Sequence, residues 1–293
     1  MTDRPQNGIY RSESGAAAVG SMYSALLRHW PVANEQRHVT TRLGDTHVIT
    51  CGPADAPALI LLHGAGFNSV TWMGDATSWS QHFRVVAVDV IGHPGFSAPV
   101  RPAYDSDSYA TWLDDVLHAL GIERASFIGL SLGGWIALDY AIRRPQRVER
   151  LILLAPAGVA REKMSMLKIV LVILPLMMLG RRGRQRAHRL MLGEYHEPAS
   201  AAEKAAAQFY SLIAKNFRQN LSKPTRFTDS QLARIKPPTL LLVGAKDPWM
   251  DGAEIQQRFN VLVPAAQVQV LPGRGHMLVG LTQQILHFLR GDE

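Results

Sequence analysis

A single cysteine, Cys51, stands in 293 residues, so no intramolecular disulfide can form. Zinc-ribbon and C-x-x-C redox readings fail at that count, and a reducing compartment fits the composition. Long apolar runs are also missing. The longest, IVLVILPLMML from Ile169 to Leu179, has 11 residues and contains Pro175, well short of the roughly 20 needed to span a bilayer. The N-terminus lacks a basic start followed by an unbroken apolar stretch, so no secretory signal is expected and the chain reads as cytoplasmic. Metal-ligand spacings, a Walker loop and a G-x-G-x-x-G fingerprint are absent where they would be needed, so no cofactor and no metal are expected.

What is there, 47% hydrophobic residues in a chain of this length, suffices for one large core with a smaller insertion. HVTTRLGDTHVITCG predicts a hairpin turning at Gly44-Asp45. After it, ALILLHG, RVVAVDVIG, ASFIGLS, RLILLAPAG, TLLLVGAKD and VQVLPGRGH read as strands. They alternate with the helical segments SYATWLDDVLHALGI, GGWIALDYAIRRP, AEIQQRFNVLVP and LTQQILHFLRG. Continuous Val/Ile/Leu runs mark strands covered on both faces, which predicts an α/β fold with a mostly parallel central sheet flanked by helices.

The alternation stops between Arg161 and Lys223. Residues 161–223 read as a helical cap insertion over the sheet's C-terminal edge, where open α/β sheets bind ligands. Residues 41–160 and 224–293 then form the core, and residues 1–40 an N-terminal helical extension that packs with Trp30 buried. The cap carries twelve Lys/Arg against four Glu, so the formal net charge of +7 is concentrated there. Its basic run RRGRQRAHR, beside an apolar helix, suits either a solvated face or weak contact with a membrane surface. No nucleic acid partner is expected, because no recognition fold accompanies the charge.

FIGLSLGGWIAL contains one serine. Gly129-Leu130-Ser131-Leu132-Gly133 joins a strand to a helix with no room for a loop, a turn that needs glycine on each flank. It projects the Ser131 hydroxyl above the sheet, at a helix N-terminus able to face negative charge. A serine N-cap with helix-packing glycines gives the same local pattern. Two further groups stand at later strand ends. Asp247 follows the strand ending at Gly244, with Asp251 as a rival acid, and His276 follows the last strand between glycines. The order Ser131, Asp247, His276 suits a nucleophile, acid and base at the strand ends of one sheet.

On these residues the sequence resembles the α/β-hydrolase superfamily from about Arg42 to Arg290. GLSLGGWIALDYAIRRPQRVERLILLAPAG, LLHGAGFNSVTW and VDVIGHPGFSAP are most similar to the Ser-nucleophile carboxylesterase-type hydrolases of bacteria. The resemblance implies the α/β-hydrolase fold, with Ser131 as nucleophile, His276 as general base and then acid, and Asp247 as the carboxylate that fixes the imidazole tautomer. It implies an oxyanion hole built from the backbone N–H groups of Leu132 and Ala65, a loop shaped by His63-Gly64, and a nucleophile elbow flanked by Gly129 and Gly133. His93 receives no catalytic role.

The implied activity is a serine hydrolase that cleaves small to medium, apolar carboxylic esters through an acyl-enzyme, its partner a small-molecule ester. Serine at the elbow argues against haloalkane dehalogenases and epoxide hydrolases, which resemble it but carry aspartate. Carbon–carbon bond hydrolases of the meta-cleavage-product type use serine, yet their first loop reads His-Gly-x-Gly-Pro-Gly where Phe67 and Asn68 follow Gly66 here. They stand second, and a non-catalytic ligand-binding protein on the same fold stands third. The cap helix expected in MSMLKIVLVILPLMMLG is Met-rich and apolar, which suits a greasy pocket.

Overall fold

The computed structural model describes residues 8–163, 169–192 and 200–291; the first turns of the expected Met-rich cap helix, residues 164–168, lie outside them. Eight strands build one sheet: β1 (Asn34–Thr41), β2 (Gly44–Cys51), β3 (Ala58–Leu62), β4 (Arg84–Val88), β5 (Ala125–Leu130), β6 (Val148–Leu154), β7 (Thr239–Gly244) and β8 (Gln267–Leu271). Their order is β1-β2-β4-β3-β5-β6-β7-β8. From β4 to β8 every neighbouring pair is parallel, and β1 and β2 add an antiparallel edge. Strands β5 and β7 are buried along their whole length, which is why their sequences run apolar without alternation.

The hairpin turns earlier than the sequence suggests. Thr41 pairs with Gly44, so Arg42 and Leu43 form the turn and Gly44 already belongs to β2. The Thr41 hydroxyl donates to the Gly44 carbonyl at 2.6 Å and accepts from the Leu43 N–H at 3.2 Å, which satisfies the turn without a glycine inside it. Gly44 is required for another reason: its φ is +98° and a Cβ there would lie 2.7 Å from that of Ala98.

Ten helices are described: α1 (Glu13–Leu27), α2 (Met73–Trp79), α3 (Ser108–Ala119), α4 (Leu132–Arg143), α5 (Leu174–Met178), α6 (Gly180–Leu192), α7 (Ala201–Asn216), α8 (Asp229–Leu232), α9 (Gly252–Leu262) and α10 (Thr282–Arg290). Trp79, Trp112 and Trp135, from α2, α3 and α4, are among the largest fully buried side chains and fill the space between helices and sheet. Among the described residues between β6 and β7 there is no strand: a π-helical turn at Ile169–Ile173 leads into α5, and α6, α7 and α8 follow. Pro175 sits in the first turn of α5, directly after the π-helical turn. No described helix is long and apolar enough to cross a membrane.

Helix α1 starts at an Ser12 N-cap whose side chain accepts from the Gly15 N–H. It packs on α7, with Tyr23 stacked on Phe209 at 5.9 Å. Gly15 permits this approach, since a Cβ there would come 2.5 Å from the Asn216 side-chain oxygen. Trp30 is buried just beyond the helix, and Cys51 is buried at the end of β2.

Candidate active site

Strand β5 ends at Leu130 and α4 begins at Leu132, so Ser131 alone makes the corner, at φ 53° and ψ −108°. A residue held there costs on the order of 1–3 kcal/mol and persists only when its surroundings overdetermine it. They do. The Ser131 N–H donates to the Leu154 carbonyl at 2.8 Å, and its own carbonyl accepts from Trp135 and Ala157 N–H at 3.0 and 3.1 Å. A Cβ on Gly129 would lie 2.3 Å from the Gly133 carbonyl oxygen, and one on Gly133 would lie 2.0 Å from that of Leu62. Both flanking glycines are therefore demanded by contact.

Ser131 Oγ lies 3.1 Å from His276 Nε2, and His276 Nδ1 lies 2.8 Å from Asp247 Oδ2. The loops after β7 and β8 carry these two residues and are clamped together: Lys246 N–H donates to the Arg274 carbonyl at 2.8 Å, and a Cβ on Gly244 would meet the Gly275 carbonyl oxygen at 2.2 Å. Asp247 is buried, and its other oxygen accepts from the N–H groups of Trp249 and Met250 at 2.8 and 3.0 Å. Asp251 does different work. It is the N-cap of α9, accepting from Ala253 and Glu254 N–H. A carboxylate on Nδ1 holds the imidazole proton there and leaves Nε2 free to take one from the Ser131 hydroxyl.

The loop after β3 abuts Ser131, since a Cβ on Gly64 would lie 3.6 Å from that of Ser131. His63 is fully buried; its Nδ1–H donates to the Gly64 carbonyl at 2.9 Å and its Nε2 accepts from Val90 N–H at 2.9 Å. Burial lowers its pKa despite the nearby Asp89. The Gly64 carbonyl also accepts from Phe67 N–H at 3.2 Å. Gly66 N–H donates to His93 Nδ1 at 3.1 Å. Burial, then His63 and Arg101, push the His93 pKa down to about 3. Among the hydrogen bonds of the described residues, the N–H groups of Ala65 and Leu132 donate to no protein acceptor.

Beneath this loop lies a carboxylate to which sequence reasoning assigned no role. Asp89, immediately after β4, is fully buried. It accepts from the Tyr23 hydroxyl, His47 Nδ1, the Ser69 N–H and hydroxyl, and Phe96 N–H, at 2.7 to 3.0 Å. Burial alone would raise its pKa, but the bond and charge of His47, the charge of His63 and the Phe96 N–H hold it well below the usual carboxylate range. The signal was legible in VVAVD: a charge ending a strand buried on both faces must be paired.

Aromatic side chains lie on the loops that carry the site. Tyr210 of α7 meets Phe67 edge-on at 4.8 Å, and Trp249 lies 6.4 Å from the His276 ring. Gln219 covers Gly66, its side-chain nitrogen 3.0 Å from where a Cβ would stand. A separate cleft of about 820 Å³, lined by residues including Arg226, Asp229, Glu254 and Arg258, holds none of the three triad-like residues. Its charges pair with each other, Arg226 with Glu254 and Arg258 with Asp229. Among the described residues, no group of three or more His, Cys, Asp or Glu is arranged to hold a metal ion.

Residues 59–284 match the model of the alpha/beta hydrolase family. The chain is 33% identical over 280 residues to carboxylesterase YbfK of Bacillus subtilis, covering 92% of each sequence. It is 33% identical over 259 residues to the uncharacterized carboxylesterase nap of the same organism, covering 87% of this chain and 85% of that one. The crystal structure of carboxylesterase CesB (YbfK) superimposes with a TM-score of 0.79 at 31% identity, over 96% of this chain and all of that one. The B. subtilis naproxen esterase structure gives a TM-score of 0.78 at 31% identity, over 92% and 96%.

Proposed function

The chain belongs to the alpha/beta hydrolase family and is a carboxylesterase-like hydrolase, and we propose that it cleaves small to medium, apolar carboxylic esters through an acyl-enzyme. One observation carries the reading: the unbroken line from Ser131 Oγ through His276 to Asp247, with links of 3.1 and 2.8 Å. In the forward step His276 Nε2 takes the Ser131 proton as Oγ attacks the ester carbonyl. Asp247 stabilises the imidazolium, which then protonates the departing alcohol. Water, deprotonated by the same nitrogen, attacks the acyl-enzyme and releases the acid. The Leu132 and Ala65 N–H groups receive the oxyanion in both steps, and their lack of a protein acceptor suits that task.

Residues 161–223 act as the cap in this reading. Phe67, Tyr210 and Trp249 favour an uncharged substrate with an apolar acyl or alcohol part, in keeping with a neighbour named for esterase action on naproxen. The test is hydrolysis of p-nitrophenyl esters from acetate to palmitate by wild type and Ser131→Ala. Activity peaking at short or medium chains and lost in the variant, with fluorophosphonate labelling of Ser131, is the expected result. A folded wild type inert toward both reagents would sink the proposal, and turnover of meta-cleavage products instead would move the chain to the carbon–carbon hydrolases.

A second reading concerns the cap surface. Gly183 and Ala187 of α6 are buried, with Gly183 tight against the Leu176 carbonyl, so that Arg182, Arg186 and Arg189 face outward. Leu171, Met178 and Leu179 are exposed on the same segment. Arginines beside exposed apolar side chains suit weak docking on an anionic lipid surface. Co-sedimentation with phosphatidylglycerol vesicles but not phosphatidylcholine vesicles is expected; equal failure with both would remove this reading and leave the esterase intact.

A further inference from the structure

We infer that His93 is a positioning residue for the oxyanion site, acting through the backbone of Gly66. This rests on the esterase reading and deepens it. The peptide group is planar. The Ala65 N–H shares its plane with the Gly64 carbonyl and points opposite to it. Whatever fixes that carbonyl therefore aims the donor. His63 Nδ1–H and Phe67 N–H both bond to the Gly64 oxygen, at 2.9 and 3.2 Å. That secures one end of the loop.

The other end is the peptide between Ala65 and Gly66, and only His93 bonds its N–H among the described residues, at 3.1 Å. With the Ala65–Gly66 plane loose, the chain could turn at Gly66 and draw the Phe67 N–H off the Gly64 oxygen, so the plane that carries the Ala65 donor would lose one of its two ties. Gly66 makes the hazard specific: at φ +74° it has no Cβ to restrict it. The bond also removes the Gly66 N–H as a competing donor, so Ala65 alone faces the site from this loop.

His93 is built to stay where it is. It is 2% exposed; its ring lies against Phe217 at 6.1 Å and His63 at 6.1 Å. Arg101 stacks on the far partner, Phe217, at 5.2 Å. As acceptor at Nδ1 it must be neutral, because a protonated ring would set N–H against N–H. Its charged neighbour Arg101 and the adjacent His63 both disfavour that proton. Four other bonds join the same segments, Val90 N–H to His63, the Asn68 side chain to the Pro94 carbonyl, and the Ser69 N–H and hydroxyl to Asp89, so removing His93 loosens one tie of five among the described residues.

The test compares His93→Leu, which has no acceptor, with His93→Gln, which can offer one. Active-site titration with a fluorophosphonate normalises rates to folded enzyme. For His93→Leu, kcat is expected to fall at least about tenfold with KM within about twofold, less than the roughly 10²–10³-fold cost of deleting a donor outright. A trifluoromethyl ketone, which forms a tetrahedral adduct, should weaken by the same factor as kcat, and His93→Gln should recover part of both. An unchanged kcat per titrated site, with only a lower melting temperature, would overturn the inference and leave the esterase reading standing. A wild type inert to ester and fluorophosphonate overturns both. Should His93→Leu not fold, NMR on the wild-type ketone adduct decides: a scalar coupling across Gly66 N–H to Nδ1 is expected, and its absence overturns the inference.

Discussion

The Tyr23 hydroxyl, on the N-terminal helix, donates to both oxygens of Asp89, 66 residues further along the chain, at 2.8 and 3.0 Å. Helix α1 is thereby tied to the carboxylate that also holds the loops after β3 and β4. Tyr23→Phe keeps the ring on Phe209 and deletes only the bond. A loss of roughly 1.5–3 kcal/mol is expected for a buried bond to a charged group, read as a lower urea midpoint with an unchanged slope.

Asp247 and Asp251 separate cleanly by substitution. Asp247→Asn should lower kcat by about 10⁴, the magnitude seen when a triad imidazole is left in the wrong tautomer. Asp251→Ala should leave kcat near wild type and lower stability by about 0.5–2 kcal/mol, as expected for a lost helix cap. Reversed kinetic effects would transfer the acid's role to Asp251.

At the elbow, Gly133→Ala drives a methyl to 2.0 Å from the Leu62 carbonyl oxygen and Gly129→Ala drives one to 2.3 Å from that of Gly133. Backbone must move, so a cost of about 3 kcal/mol or more is expected, at the upper end of overpacking. Gly121 has nothing within 4 Å of a Cβ but φ +66°. Gly121→Ala should therefore cost only about 1–2 kcal/mol from the left-handed backbone. Thermal melts of the three variants check the order.

His63 and His93 make the fold acid-sensitive. Both pKa values are lowered by burial, that of His93 to about 3. At pH 7 the unfolded chain is only partly protonated at these sites, since an ordinary histidine titrates near 6.5. Below about pH 6.5 the unfolded chain takes up protons that the folded one refuses, so stability falls by up to about 1.4 kcal/mol per pH unit for each histidine. For His93 the fall ends as pH reaches about 3. Denaturation across pH 4 to 7 should show His93→Gln with a shallower slope than wild type; parallel slopes would contradict a buried neutral His93.

Most of the sheet was legible because its signal is local. Apolar runs such as TLLLVG mark strands covered on both faces, and Gly129 and Gly133 announce a sharp corner through steric demands within five residues. The hydrolase family and its carboxylesterase-type members were reached by resemblance, on GLSLGGWIALDYAIRRPQRVERLILLAPAG, LLHGAGFNSVTW and VDVIGHPGFSAP, and not by strand periodicity. The hairpin turn was misplaced because Gly44 answers to Ala98, a contact that no local pattern encodes. That Asp89 must be paired was legible in VVAVD, but its partners, like those of His93, come from other segments, and what each of these polar side chains does depends on what buries it. The exposed arginines of α6 were visible as charge, while the outward facing of that charge depends on Gly183 and Ala187 packing inward.

Asp89 also has a consequence in time. Its bonds to Tyr23, His47 and Ser69 span 66, 42 and 20 residues, so three loops must close before the carboxylate is satisfied. Contacts of that range form late, after the chain has met most of its entropic cost. Bonds absent from the folding transition state govern how fast the native state is lost more than how fast it is reached. The buried carboxylate is thus expected to act as a latch on unfolding, Tyr23→Phe shortening the lifetime of the folded chain more than it slows refolding.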